Sequence, residues 1–348
     1  MPSSQDFPLL AQARPKRRRV TMQDVARQAG VGTITVSRAL SDPQKVSPPL
    51  RTRIENAIRD LGYVPNRMAG SLSSQRSRVV PIIVPVIQNA VFSDVVEGLN
   101  DHLLAEGYQI LLGASNYEPE REEALIAAFL GWTPQCIVVL GTEHTEAARR
   151  MLSETEVTVV ELFELIDDPI EINIGFSHRN AARDMALHLV ERGYRKVAFV
   201  GAFMHRDRRA AIRCRACMDC LREQGQIADR VLSYEERSTL DLGAQAICDV
   251  LDKWLDTDAV FFANDVLAGG ALMECQRRGI AVPGRVAIAG FTGLPIGART
   301  TPELTTVVSP RYQVGEMAAR VILETKNAPQ KEKRTIEVPY SLLIRQST

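Results

Sequence analysis

The side chains of this 348-residue sequence that could do chemistry are arginines and short hydroxyls, not nucleophiles or metal ligands. If residues 33–40 are helical, Thr33, Ile34, Ser37 and Arg38 share an outward face. A threonine hydroxyl donates or accepts, an isoleucine offers apolar contact to a thymine methyl, and an arginine reaches guanine O6 and N7 or a phosphate. For Ser37 the alternative is a plain helix-surface hydroxyl. Arg14, Lys16, Arg17, Arg18 and Arg19 lie upstream, either a phosphate-clamping arm or a solvated tail. A second group, Arg209 and Arg213, is spaced to share one helix face, with Arg206 and Arg208 beside it and Arg311 further on. Such guanidinium forks grip carboxylate or phosphate, although the Arg209 segment could equally be a solvated helix start.

Covalent chemistry finds little support. His102, His144, His178, His188 and His205 are not in metal-ligand spacing, and neither G-x-S-x-G nor G-x-x-x-x-G-K-[ST] occurs. Cys214, Cys217 and Cys220 form a C-x-x-C-x-x-C run, but a nearby fourth thiol and the trailing proline of iron–sulfur ligation are missing. No metal, cofactor or catalytic residue is expected, which leaves an enzyme built on two α/β lobes a weak alternative.

The outward residues at 33–38 need a frame. Thr21 can cap a first helix whose Val25, Ala26 and Ala29 form an apolar face, and Gly30 ends it. A second helix over 33–40 should bury Val36 and Leu40, and a third over 48–61 carries Leu50, Ile54, Ala57, Ile58 and Leu61 on one stripe. Residues 66–77 read as a polar linker with Met68, Ala69 and Leu72 at helical spacing.

From residue 78 apolar strands alternate with amphipathic helices, first over 78–176 and again over 177–308. The expected strands are 79–87, 110–113, 136–140, 157–162, 172–176, 197–201, 259–263, 286–291 and 304–308. The pattern predicts two doubly wound parallel-sheet lobes, with crossings near 172–176, 304–308 and 326–334, so that lobe 1 takes 78–176 and 309–326 and lobe 2 takes 177–308 and 335–348. Ligands of such sheets gather beyond the carboxyl ends of the strands, here between the lobes. Asn89 and Phe92 could line lobe 1, Phe92 being equally suited to core. Asn264 could bond hydroxyls, while Asp265 should cap the following helix.

The formal charge of zero hides a polarity. Residues 1–77 carry 13 lysines and arginines against 5 acidic residues, a net +8, which leaves −8 for the remainder. The basic end should bind phosphate in a salt-dependent manner. No apolar run of 18 residues and no signal-type leader is present, so a cytoplasmic, nucleoid-associated location with reduced thiols and no membrane partner is expected.

The string T-x-x-D-V-A-x-x-A-G-V-x-x-x-T-V-S-R from Thr21, followed by V-S-x-x-x-R and G-Y-V-P-N-R, resembles the headpiece of lactose-repressor-family transcription factors. The resemblance implies a basic arm at 1–19, a helix-turn-helix headpiece at 20–65, a hinge helix at 66–77 and a periplasmic-binding-protein-like body at 78–348. It implies base reading by Thr33 and Ile34. DNA contacts also fall to Thr21, Thr35, Ser37, Arg38, Asn66, Arg67 and Ala69, with Leu72 as a minor-groove wedge. The partners it implies are a palindromic double-stranded operator, an identical subunit in a homodimer, and a small effector in the cleft.

The strings N-x-V-F, G-Y-Q, E-C-Q-R-x-G, A-I-A-G-F and P-R are similar to those of the gluconate-utilisation repressors in that family. They point to gluconate, a keto-gluconate or a phosphogluconate as effector of a repressor. Relatives that bind neutral sugars tend to place acids or an aromatic where this chain has Asn180, Thr292 and Arg311, so carboxylates have gone and a cation has arrived. A neutral-sugar or purine effector, or a sugar-binding protein without DNA, are the alternatives. Replacing Ile34 with Ser should change the preferred base at one operator position in a binding-site selection; an unchanged preference would contradict its reading role.

Overall fold

The computed structural model describes residues 20–64, 77–88, 90–325 and 332–348. The expected arm at 1–19, the hinge with Asn66, Arg67, Ala69 and Leu72, and Asn89 lie outside them, as does most of the crossing expected at 326–334. The chain divides into two compact units, Met1–Gln75 and Arg76–Thr348.

In the first unit, helices α1 (Met22–Ala29), α2 (Thr33–Ser41) and α3 (Pro48–Leu61) enclose a small core of Val25, Val36, Ile54 and Ala57. Gly30 takes a left-handed φ of 65°, a conformation that a side chain disfavours, and this turns the chain sharply from α1 into α2. Arg53 of α3 donates to Ala29 O at 2.6 Å and so satisfies a carbonyl at the α1 terminus. Leu40 corrects the sequence expectation: it is exposed, and Ala39 is buried in its place. Ala39 lies three residues beyond Val36, still on the face that packs inward, whereas Leu40 has rotated away from it.

The second unit contains two six-stranded sheets. The first has the order β11-β5-β4-β3-β1-β2, built from β1 (Val79–Val84), β2 (Gln109–Ala114), β3 (Cys136–Val139), β4 (Thr158–Glu164), β5 (Ile172–Phe176) and β11 (Arg334–Glu337). The second has the order β12-β10-β9-β8-β6-β7, built from β6 (Val197–Ala202), β7 (Val231–Tyr234), β8 (Ala259–Phe262), β9 (Ala287–Thr292), β10 (Thr305–Val308) and β12 (Ser341–Leu343). Pairing is parallel except for β10 with β12. Near-continuous apolar strands such as β3 and β8 fit sheets covered on both faces.

The helices of the first lobe are α4 (Ala90–Ala105), α5 (Pro119–Leu130), α6 (Glu146–Glu154) and the returning α11 (Arg311–Thr325). Those of the second are α7 (His178–Glu191), α8 (Arg208–Glu223), α9 (Leu240–Lys253) and α10 (Asp265–Arg278). Because β11 pairs with β5, residues 335–337 belong to the first sheet and not to the second lobe as the sequence suggested. The chain therefore crosses after Glu337 and before Ser341. Edge strand β7 also escaped the sequence pattern, because its residues are only partly buried and mixed in polarity.

Helices α4 and α11 meet backbone to backbone. A Cβ on Gly98 would lie 2.2 Å from Tyr312 O, and one on Gly315 would lie 2.1 Å from Val95 O. Gly98→Ala is expected to lower stability by about 1–3 kcal/mol, read as a reduced urea midpoint at unchanged slope. An unaltered midpoint would mean that this contact yields without cost.

Candidate functional site

On the headpiece, the Thr21 hydroxyl accepts from Asp24 N at 3.4 Å and donates to Asp24 Oδ2 at 2.7 Å, while Thr21 N donates to the same carboxylate at 2.9 Å. This reciprocal cap starts α1, so Thr21 has a structural duty beside any phosphate contact. On α2, Thr33, Ile34, Ser37 and Arg38 are exposed, and Thr35 is half-buried. Ile34 is 69% exposed, an unusual setting for a large aliphatic side chain at the first turn of a helix.

In the body, the carboxyl ends of β1 to β4 face the start of α8 across a cavity of about 100 Å³. Arg206 donates to Tyr117 O at 3.3 Å. Arg208 pairs with Glu143 through Nη1 and approaches Glu164 Oε1 with Nε at 3.7 Å.

Arg209 is buried, with its guanidinium 5.1 Å from the centre of the Phe92 ring and Nε 3.4 Å from Asp207 Oδ1. Burial opposes its charge, but Asp207, Tyr117 and Glu164 together outweigh that and raise its pKa. The Tyr117 hydroxyl is itself pushed up to about 12, chiefly by burial.

Arg213 lies one turn further on, over the Phe291 ring at 4.6 Å, with Nη1 3.2 Å from His178 Nδ1. His178 Nε2 faces Phe163 O at 3.1 Å. A carbonyl only accepts, so Nε2 carries the proton and Nδ1 accepts from Arg213, which requires a neutral imidazole. Burial, then Arg213 and Arg209, hold the His178 pKa well below its ordinary value. Burial also pushes Arg213 down to about 10. Arg213 Nε, Thr292 Oγ1 and Ser309 Oγ are buried without a hydrogen-bond partner among the described residues. Thr292 has φ 115°, a conformation costly for a β-branched residue.

The other expected site residues are distributed differently. Arg311 is buried with Nε donating to Asp94 Oδ2 at 2.7 Å and Nη1 to Thr292 O, so its fork joins α4 to the end of β9. Phe92 is core and also a wall for Arg209. Asn180 is exposed on the first turn of α7. Asn264, not Asp265, caps α10: its side chain accepts from Leu267 N at 3.1 Å and donates to Ser238 Oγ at 2.7 Å. Asp265 is fully buried, accepts from Thr306 Oγ1 and Leu294 N at 2.6 Å each, and is pushed up to about 6 by burial.

Sequence reasoning missed Tyr117, Glu143, Glu164 and His178. Tyr117, Glu143 and Glu164 sit on loops or at a strand end and belong to no periodic pattern; only the position of His178 at the head of a helix after a crossing strand offered a signal. It also missed a buried triad behind the cleft. His144 Nδ1 lies 2.6 Å from Glu122 Oε1, and Nε2 lies 3.4 Å from Glu161 Oε1. Burial works against the imidazolium, but the two glutamates prevail and raise its pKa to about 9.

Residues 21–66 match the family described as bacterial regulatory proteins, lacI family, and residues 186–348 match a periplasmic binding protein-like domain. The HTH-type transcriptional regulator GntR of Escherichia coli K12 is 33% identical over 94% of this chain and 98% of its own. The protein of the same name from Pseudomonas aeruginosa is 34% identical over 95% and 96%. A crystal structure of a LacI-family regulator from Silicibacter pomeroyi is 32% identical and superposes with a TM-score of 0.89 over 94% of this chain and 99% of that one. No helix among the described residues is long and apolar enough to cross a membrane.

Between pH 6.5 and 9 the folded chain keeps the His144 proton that the unfolded chain has lost. The contribution is complete below pH 6.5 and disappears as pH rises through 9. Stability should therefore fall across that window by about 3 kcal/mol, and His144→Gln should flatten this part of a denaturation-versus-pH profile. An identical slope in the variant would remove the triad from the account.

Proposed function

Because the chain belongs to the LacI family of DNA-binding transcriptional regulators, we propose that it is a repressor of sugar-acid utilisation genes whose effector is gluconate, a keto-gluconate or a phosphogluconate. The observation that carries the effector class is the pair of buried guanidinium groups on one face of α8: Arg209, which lines the cleft cavity, and Arg213, one turn deeper. The unpartnered Arg213 Nε and Thr292 Oγ1 support it, since buried polar atoms without partners are costly unless a ligand or water completes them. A carboxylate or phosphate suits an arginine fork, and the neighbouring hydroxyls suit a polyol.

On the DNA side, Thr33, Ile34 and Arg38 are assigned to base edges, and Ser37 and Thr35 to positioning. A two-fold dimer places its paired α2 helices about 34 Å apart, matching one turn of a roughly palindromic operator. The effector acts through its preference for one lobe arrangement, and a coupling of ~1–3 kcal/mol is sufficient to lower operator affinity five- to a hundredfold.

Arg213→Gln keeps side-chain bulk while removing the charge. In calorimetry on the full chain, gluconate affinity is expected to fall by tenfold or more, about 1.5–3 kcal/mol, and operator release by gluconate should be lost. Unchanged affinity in the variant, or binding by neutral sugars alone, would refute the sugar-acid reading.

A further inference from the structure

The cleft already contains anions belonging to the chain. Glu164 closes β4, is 8% exposed, and accepts from Thr142 Oγ1 at 3.5 Å. It faces Arg208 Nε at 3.7 Å and lies in the field of Arg209. Glu143, on the loop between β3 and α6, pairs with Arg208 Nη1. Both carboxylates belong to the first lobe and both arginines to the second, so these contacts span the cleft.

The Glu143 loop is not free to wander. Its neighbour His144 is clamped between Glu122 and Glu161, and Thr145 donates to Glu123 Oε2 at 2.5 Å while capping α6. Glu143 is therefore presented to Arg208 from a fixed backbone, although both side chains of the pair are exposed at the cleft rim.

We propose that Glu143 at the rim and Glu164 beneath it form a built-in counter-anion that occupies the arginine face of the cleft and ties the lobes together until the acid group of a ligand displaces it. The inference rests on the sugar-acid reading and adds its regulation. A ligand carboxylate or phosphate cannot share Arg208 and Arg209 with two carboxylates without like-charge repulsion, strongest at the buried Glu164 and Arg209 and weaker at the exposed Glu143. Entry of the ligand thus breaks the Arg208 bridge and loosens the lobes at this rim. Neutral polyols have no group to exchange for the glutamates and are rejected, so the same pair confers specificity for acids.

The test is calorimetry on the full-length wild type, Glu143→Gln and Glu164→Gln with three probes: gluconate, its neutral counterpart glucitol, and inorganic phosphate. Removing a gate carboxylate is expected to tighten gluconate and phosphate binding roughly five- to tenfold and to leave glucitol unbound. Glu143 is exposed, so that variant carries no risk to folding. Hydrogen exchange supplies a second readout: gluconate should increase exchange in the 141–144 loop of the wild type. If gluconate binds the wild type and neither variant gains for either anion, the gate is overturned and the sugar-acid reading stands. If the variants gain for phosphate while gluconate binds none of the three proteins, the gate stands and the sugar-acid reading falls. Protection of the 141–144 loop by gluconate would also overturn the gate.

Discussion

A guanidinium group taken out of water must be surrounded, and of the buried arginines of the body two, Arg209 and Arg213, share one face of α8. Arg209 is flanked by the Phe92 and Phe163 rings and neutralised by Asp207 and Glu164. Arg213 lies over Phe291 and leans on a neutral histidine. The two solutions differ in kind: one cation keeps its counter-charges, whereas the other is held by a ring face and a lone pair and keeps one donor unspent. That inequality distinguishes this interior from a salt-bridged core in which every charge is matched.

The same economy of partners explains the rest of the pocket. Arg311 joins Asp94 to the carbonyls that end β9, so it works as a strut between elements. Asp265 fixes the β9 and β10 ends through Thr306 and Leu294. These contacts hold Thr292 in a backbone conformation it would not choose, with its hydroxyl buried and unmatched. The headpiece follows the opposite rule, leaving Ile34 in water instead of hiding it.

Much of this was legible in the sequence wherever periodicity decides the outcome. The limits of α3 and α8 follow from apolar stripes bounded by proline, glycine or a charge run, and the headpiece motif is dense enough to identify by itself. Legibility failed where a residue's fate depends on partners distant in the chain. Asn264 and Asp265 are adjacent and both suit a helix start, but only the fold shows that Thr306 and the backbone at Leu294 claim Asp265. Arg311 read as a free fork because Asp94 is more than two hundred residues away. β11 went to the wrong lobe since four residues of mixed burial carry no mark of which sheet they join. The glutamates of the cleft sit at a strand end and on a loop, positions whose meaning is set by what stands opposite.

The bare crossing of α4 and α11 bears on how the body can move. With peptide groups in contact at Gly98 and Gly315, the two helices sit unusually close, and Arg311–Asp94 and Tyr312–Asp101 tie them together along the same seam. Shear along this seam would have to break those contacts and the side-chain bonds together. The two sheets, by contrast, are joined along the chain only by the three short connections at 177, 309–310 and 338–340.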